Sequence, residues 1–139
     1  MKTLAVPPDA EHVVIDYLTT ALAAHGQDVT CGVNIPTTWT DGTKPHVQVA
    51  LDGTPIVTYP ILFRASVRVT CWTSSTTAGT TPAKALAALC FALLCVHPGG
   101  SGVASIRPLT GVLPAQDNAT LAQLASVSVQ VNLLGAVVA

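Results

Sequence analysis

Four histidines, four cysteines and seven acids are the foremost side chains of this chain that could move a proton, attack a carbon or hold a metal. General acid–base or nucleophilic work needs such a group beside an orienting partner and a charge stabiliser. The histidines are scattered: His12 and His25 fall in one predicted helix, His46 precedes a predicted strand, and His97 ends a second predicted helix. No H-E-x-x-H, G-x-S-x-G, G-x-G-x-x-G or P-loop spacing connects them to a partner. His25 and His97 stand at helix C-termini, where the dipole favours imidazolium, and are read as structural. Gly99, Gly100 and Gly102 flank Ser101 in a glycine-rich stretch without a phosphate-reaching lysine. It follows a helix rather than opening one, so it reads as a linker. The acids Asp9, Glu11, Asp16, Asp28, Asp41, Asp52 and Asp117 show no metal-loop spacing. Asp9 and Glu11 suit the positive end of a helix dipole. The expectation is a protein with no catalytic centre, no metal and no cofactor.

Cys31, Cys71, Cys90 and Cys95 contain no C-x-x-C, and a spacing of five does not place Cys90 and Cys95 on one helical face. The first residues have one charge and then Pro7 and Pro8, without the apolar stretch of a secretory signal. A reducing compartment and free thiols are therefore expected. Cys31 and Cys71 fall in the apolar phase of predicted strands and read as small buried hydrophobes.

The elements that would position these residues follow from periodicity. Pro7, Pro8 and Asp9 open a first helix, which His25 and Gly26 close, with Val14, Tyr17, Leu18, Ala21 and His25 as its buried stripe. Val13, Ile15 and Leu22 widen that stripe. Short strands are predicted over 28–33 and 47–51, separated by a Thr-rich loop, 36–45, that carries Trp39. The stretch after Gly53, broken by Pro55 and Pro60, reads as irregular. The clearest strand is 63–72: Phe63, Ala65, Val67, Val69 and Cys71 share one face, and Arg64, Ser66, Arg68, Thr70 and Trp72 share the other. A polar loop, 73–81, precedes a second helix that starts at Thr81 and Pro82 and ends before Pro98. Leu86, Leu89, Cys90, Leu93 and Leu94 form one face of it, and Ala88, Phe91, Ala92 and Cys95 make the opposite face apolar too. A helix apolar all round is a buried helix, under a second layer or against another subunit. Strands over 103–109 and 125–133 close the chain, before an apolar tail. The order is α-β-β-β-α-β-β, which reads as an α+β fold with two helices packed on a mainly antiparallel sheet of about five strands.

At 139 residues the chain reads as a single domain, 1–139. Half of its residues are apolar and 9% are charged, against about 25% in ordinary globular domains. With a net charge of −1 and 4% aromatics it has neither the basic footprint nor the stacking platform of a nucleic-acid binder. Its longest apolar run, 85–96, is far below the ~20 residues that span a bilayer, so no membrane partner is expected. So few charges point either to a Thr-rich surface of high-GC type or to a surface spent on contacts with neighbouring subunits, because interface cores are depleted of charge. Arg64 and Arg68, Trp72 on the same strand face, and Phe91 on the second helix are the expected subunit-contact residues. Trp39, Ser74, Thr76 and Thr77 are the expected docking residues of the polar loops.

The layout resembles the tail terminator proteins (head–tail joining, neck) of long-tailed bacteriophages, especially those of actinobacterial hosts. D-A-E-H-V-V-I-D-Y-L at 9–18 looks like the opening helix, followed by a short strand and V-N-I-P at 33–36. P-H-V-Q-V-A-L-D-G at 45–53 is similar to the second strand and its glycine turn. F-R-A-S-V-R-V-T-C-W at 63–72 is similar to the strand that precedes a polar loop and an Ala/Leu helix, here 84–94. Asp117 and the strand 125–133 are similar to the closing segment. Ser66 and Thr70 stand where that family's strand often has acids, and the linker 54–60 lacks charges.

The resemblance implies a structural virion protein, a homo-oligomeric ring that is expected to be a hexamer. It caps the finished tail tube, ends polymerisation and offers a surface to the head–tail connector. Its partners would be further copies of itself, the tail tube protein and the connector proteins, with DNA passing through the lumen without specific binding. A head–tail adaptor or other minor tail component is the nearest alternative. Two readings from other classes are a module binding a small apolar ligand between the second helix and the sheet, and a cysteine-dependent enzyme using Cys90 or Cys95.

Overall fold

The computed structural model describes residues 4–6, 8–36, 39, 44–53, 56–58, 62–74, 81–100, 102–117, 119 and 121–137. Ten elements follow one another: β1 (Ala5–Val6), α1 (Ala10–Ala24), β2 (Thr30–Gly32), β3 (His46–Gly53), β4 (Ile56–Thr58), β5 (Leu62–Thr73), α2 (Thr81–Cys95), β6 (Val103–Gln116), β7 (Gln123–Leu134) and β8 (Ala136–Val137). The expected α+β plan is present. Five strands form the sheet in the order β2-β3-β5-β7-β6, with β4 against the start of β5, and β1 pairs with β8 in a separate ribbon. Pairing is antiparallel except between β2 and β3.

Alternation along β5 decides which face is covered. Phe63, Ala65, Val67, Val69 and Cys71 are buried, and the register sets Val47 and Val49 of β3 and Val127, Val129, Val131 and Leu133 of β7 beside them. Period-2 strands brought into this register give one continuous apolar face. Helix α1 covers it near β2 and β3, and α2 covers it over β5, β6 and β7. Val14, Leu18 and Leu22 of α1 and Ala83, Leu86, Ala87, Cys90, Leu93 and Leu94 of α2 complete the core. Asp9 caps α1, its carboxylate accepting from the backbone N–H of Glu11 at 3.1 Å and of His12 at 3.3 Å. The Glu11 carboxylate in turn accepts from the N–H of Leu51, at 3.1 Å, where the β3–β5 register slips. The helix start is thereby tied to the far end of β3.

Four expectations need correction. Strand β6 runs on through Pro108 and Pro114 to Gln116 instead of stopping near 109. It lies at the sheet edge, where a missing proline N–H need not break a ladder. The stretch after Gly53 is not wholly irregular, since β4 pairs with β5. Within the chain helix α2 is buried on one side only: Ala85, Ala88 and Ala92 are exposed, while Leu89 and Phe91 are half-buried. Among the described residues no second layer covers the outer side, and alanine is apolar without being obliged to pack, which leaves contact with another subunit as the remaining form of the two-sided expectation. His25 is exposed, because as the C-cap of α1 it has left the helical path that would carry it to the core.

Candidate interaction surface

Among the described residues, the opposite face of the sheet bears no helix of its own chain. On β5 it presents Arg64, Ser66, Arg68, Thr70 and Trp72, paired across to Asn132, Gln130, Ser128, Ser126 and Leu124 of β7. Strand β6 adds Ser105, Arg107, Thr110, Leu113 and Ala115 through its pairing with β7. Arg107 lies opposite Gln130, which lies opposite Ser66, so it sits two strands from the midpoint between Arg64 and Arg68. All three arginines of the chain therefore occupy this face. Strand spacings place them roughly 10–13 Å apart around a centre of Ser66 and Gln130.

The polar groups between them are satisfied among themselves. Gln130 Nε2 donates to Asn132 Oδ1 at 3.0 Å, and Asn132 Nδ2 donates to Ser105 Oγ at 2.8 Å. Arg68 meets Asp52 at 3.5 Å, a half-exposed pair worth at most about 1 kcal/mol. Apolar side chains flank the arginines: Leu113 is 56% exposed toward one end and Leu134 is 47% exposed at the other.

One corner of this face is covered from within the chain. Trp39, from the segment between β2 and β3, packs edge-on against Trp72 with ring centroids 5.7 Å apart and planes at 72°. Trp39 Nε1 donates to the Lys44 carbonyl at 3.2 Å, and Trp72 Nε1 donates to Gln48 Oε1 at 3.1 Å. Beside them His46 is buried. The Asn34 carbonyl can only accept, so His46 Nε2 carries the proton and donates at 3.0 Å. Nδ1 then accepts from the Thr30 hydroxyl at 2.6 Å. Burial pushes the His46 pKa down, partly opposed by the Asn34 hydrogen bond, and holds the ring neutral.

The expected contact residues thus divide. Arg64, Arg68 and Trp72 lie together on the open sheet face, while Phe91 packs half-buried in the helical layer on the other side. Trp39 meets Trp72 in the same chain. Ser74 follows the end of β5 and is half-buried; Thr76 and Thr77 lie outside the described residues. Arg107 escaped the sequence reading, although a charged residue in a predicted strand was its visible signal.

The helical side has an open pocket of about 550 Å³ lined by His12, Val13, Asp16, Tyr17, Ala24 and His97, among others. His12 Nε2 and Asp16 Oδ2 pair at 3.1 Å but both are largely exposed, and no cysteine, serine or lysine is among the described residues lining the pocket. His97 packs tilted against Tyr17, with ring centroids 4.5 Å apart and planes at 44°, and its Nδ1 accepts from the N–H of Gly99 at 2.9 Å. Burial lowers its pKa, so the imidazolium expected from the helix dipole is disfavoured. The cysteines are free thiols. Cys71 and Cys90 approach to 4.0 Å, and that contact, with burial, pushes the Cys71 thiol well up. Burial likewise raises Cys31 and Cys95, which disfavours the reactive thiolate. The interval between α2 and the sheet is filled by Ala83, Ala87, Cys90 and Leu94, each fully buried. Among the described residues no group of histidines, cysteines and acids could hold a metal ion, and no helix is long and apolar enough to cross a membrane.

No protein-family model matches the chain, and no curated protein matches it in sequence.

Proposed function

We propose that the chain is a structural virion subunit that assembles into a ring at the head-proximal end of a phage tail tube, ends tube polymerisation and joins tail to head connector. It acts by binding and carries no catalytic role. The observation that supports this reading most is the one-sided architecture: one sheet face is packed under two helices, and the other, apart from the Trp39 corner, is uncovered among the described residues and holds all three arginines between apolar flanks. A subunit with two unlike outer faces is suited to head-to-tail contacts, which close into rings. Burial in such contacts also accounts for the low charge of the surface. The α+β layout, with two helices on a mainly antiparallel sheet, is compatible with the terminator resemblance.

Size-exclusion chromatography with light scattering, followed by negative-stain electron microscopy, tests the reading. A ring with a mass about six times 14.2 kDa that decorates one end of purified tail tubes is expected. A monomer at all concentrations refutes it. The adaptor alternative is separated by deleting residues 74–80, one of the loops assigned to docking. Over-long, headless tubes in particles made with the deleted protein favour a terminator; tubes of normal length that fail to attach favour an adaptor.

A further inference from the structure

We infer that the open sheet face is the seat for helix α1 of a neighbouring copy, so that the ring contact is arginine-bearing sheet against acidic helix. The inference rests on the ring reading and adds its two contact surfaces. The arginines and the α1 acids lie on opposite sides of the sheet. Arg64, Arg68 and Arg107 share the sheet face, where Asp52 pairs with Arg68 and leaves the other two arginines without an ion-pair partner among the described residues. Helix α1 has no lysine or arginine; Asp9 caps it, Glu11 in its first turn accepts from the Leu51 N–H, and Asp16 at mid-helix pairs with His12. Asp9 and Asp16 are exposed, and Asp16 borders the apolar-floored pocket between Val13, Tyr17 and Ala24. The two surfaces thus match in charge and each has apolar area beside its charges.

The sheet has room for the helix. Strands β5, β6 and β7 run 12, 14 and 12 residues, roughly 40–48 Å at ~3.4 Å per residue, and the 15 residues of α1 run about 22 Å. Helix α1 therefore lies along about half of that length, and its neighbours in the helical layer supply the rest of the ~800 Å² per partner of a standard interface. Two copies meeting sheet to sheet would oppose arginines to arginines, whereas sheet to helix opposes unlike charges and repeats around a ring.

Two exposed-site variants separate the possibilities. In Arg64→Glu/Arg107→Glu the sheet face becomes acidic, with Arg68 left to its Asp52 partner. In Asp16→Lys/Thr20→Lys the outer face of α1 becomes basic, with the Asp9 cap and the Glu11 contact untouched. Far-UV circular dichroism checks that each stays folded, and Arg64→Gln/Arg107→Gln provides a milder sheet variant. Each charge-reversed protein alone is expected to lose association at least tenfold. An equimolar mixture is expected to reassemble as an alternating ring, since the acidic sheet of the first variant meets the basic helix of the second, and the second's arginine sheet meets the first's acidic helix. Wild-type rings with both variants assembling normally overturn this inference and leave the ring reading standing. Variants that fail alone and stay apart when mixed overturn it also. A wild-type monomer overturns the ring reading and this contact together.

Discussion

At Gly102 the backbone takes φ +86°, and an added Cβ would stand 2.8 Å from Pro8 Cγ. An L side chain in that conformation is strained by roughly 1–2 kcal/mol before any clash is counted. Gly102→Ala is therefore expected to lower unfolding free energy by at least about 1 kcal/mol in urea titrations, since the Leu134 N–H to Gly102 carbonyl bond holds the turn in place. His46 and His97 make a different prediction. Burial keeps both rings neutral in the folded chain, with pKa values below the ordinary histidine value of about 6.5. The unfolded chain then binds the larger number of protons as the solution is acidified. Stability is full above about pH 6.5 and is lost progressively as pH falls from there toward the lowered folded values. Denaturant midpoints at pH 7 and pH 5.5 are expected to show this loss, and His46→Gln/His97→Gln is expected to flatten it.

Between elements, α2 carries most of the risk. Leu94 is fully buried against the sheet, and Leu94→Ala is expected to cost about 2–5 kcal/mol by calorimetry or urea titration. Leu93→Asp places an unpaired charge in the core and is expected to prevent folding. Ala88→Asp, on the exposed side of the same helix, is expected to leave the subunit's circular dichroism unchanged. Much of this layout was legible in the chain itself. The strict alternation of Phe63 through Trp72 separated the core face from the arginine face, and Asp9 with Pro8 marked the helix start. Helix α2 was legible in extent but not in depth, because Ala88 and Ala92 read the same whether packed or bare. Strand β6 shows why the interaction surface was only half visible. Plain alternation from Val103 would put Arg107 on the core side. The slip between Val103 and Ser105 turns Ile106 inward and Arg107 outward, and nothing local in the residues announces it. Register of this kind is set by the partner strand.

Across the whole molecule, with arginines in one layer and α1 acids in the other, the proposed sheet-to-helix contact is expected to make assembly sensitive to ionic strength. Exposed charge pairs are screened beyond about 8 Å at 0.15 M salt. Raising salt toward 0.5 M is expected to shift the wild-type sedimentation profile toward smaller species, with no change in the far-UV spectrum. The edge-on contact of Trp39 with Trp72 has a consequence of another kind. These two rings are the only indoles in the chain, and both sit at one corner of the bare sheet face. All of the protein's intrinsic tryptophan emission therefore originates there. The subunit has a built-in optical reporter, whose colour and quenching follow whatever covers that corner and stay blind to events on the helical side.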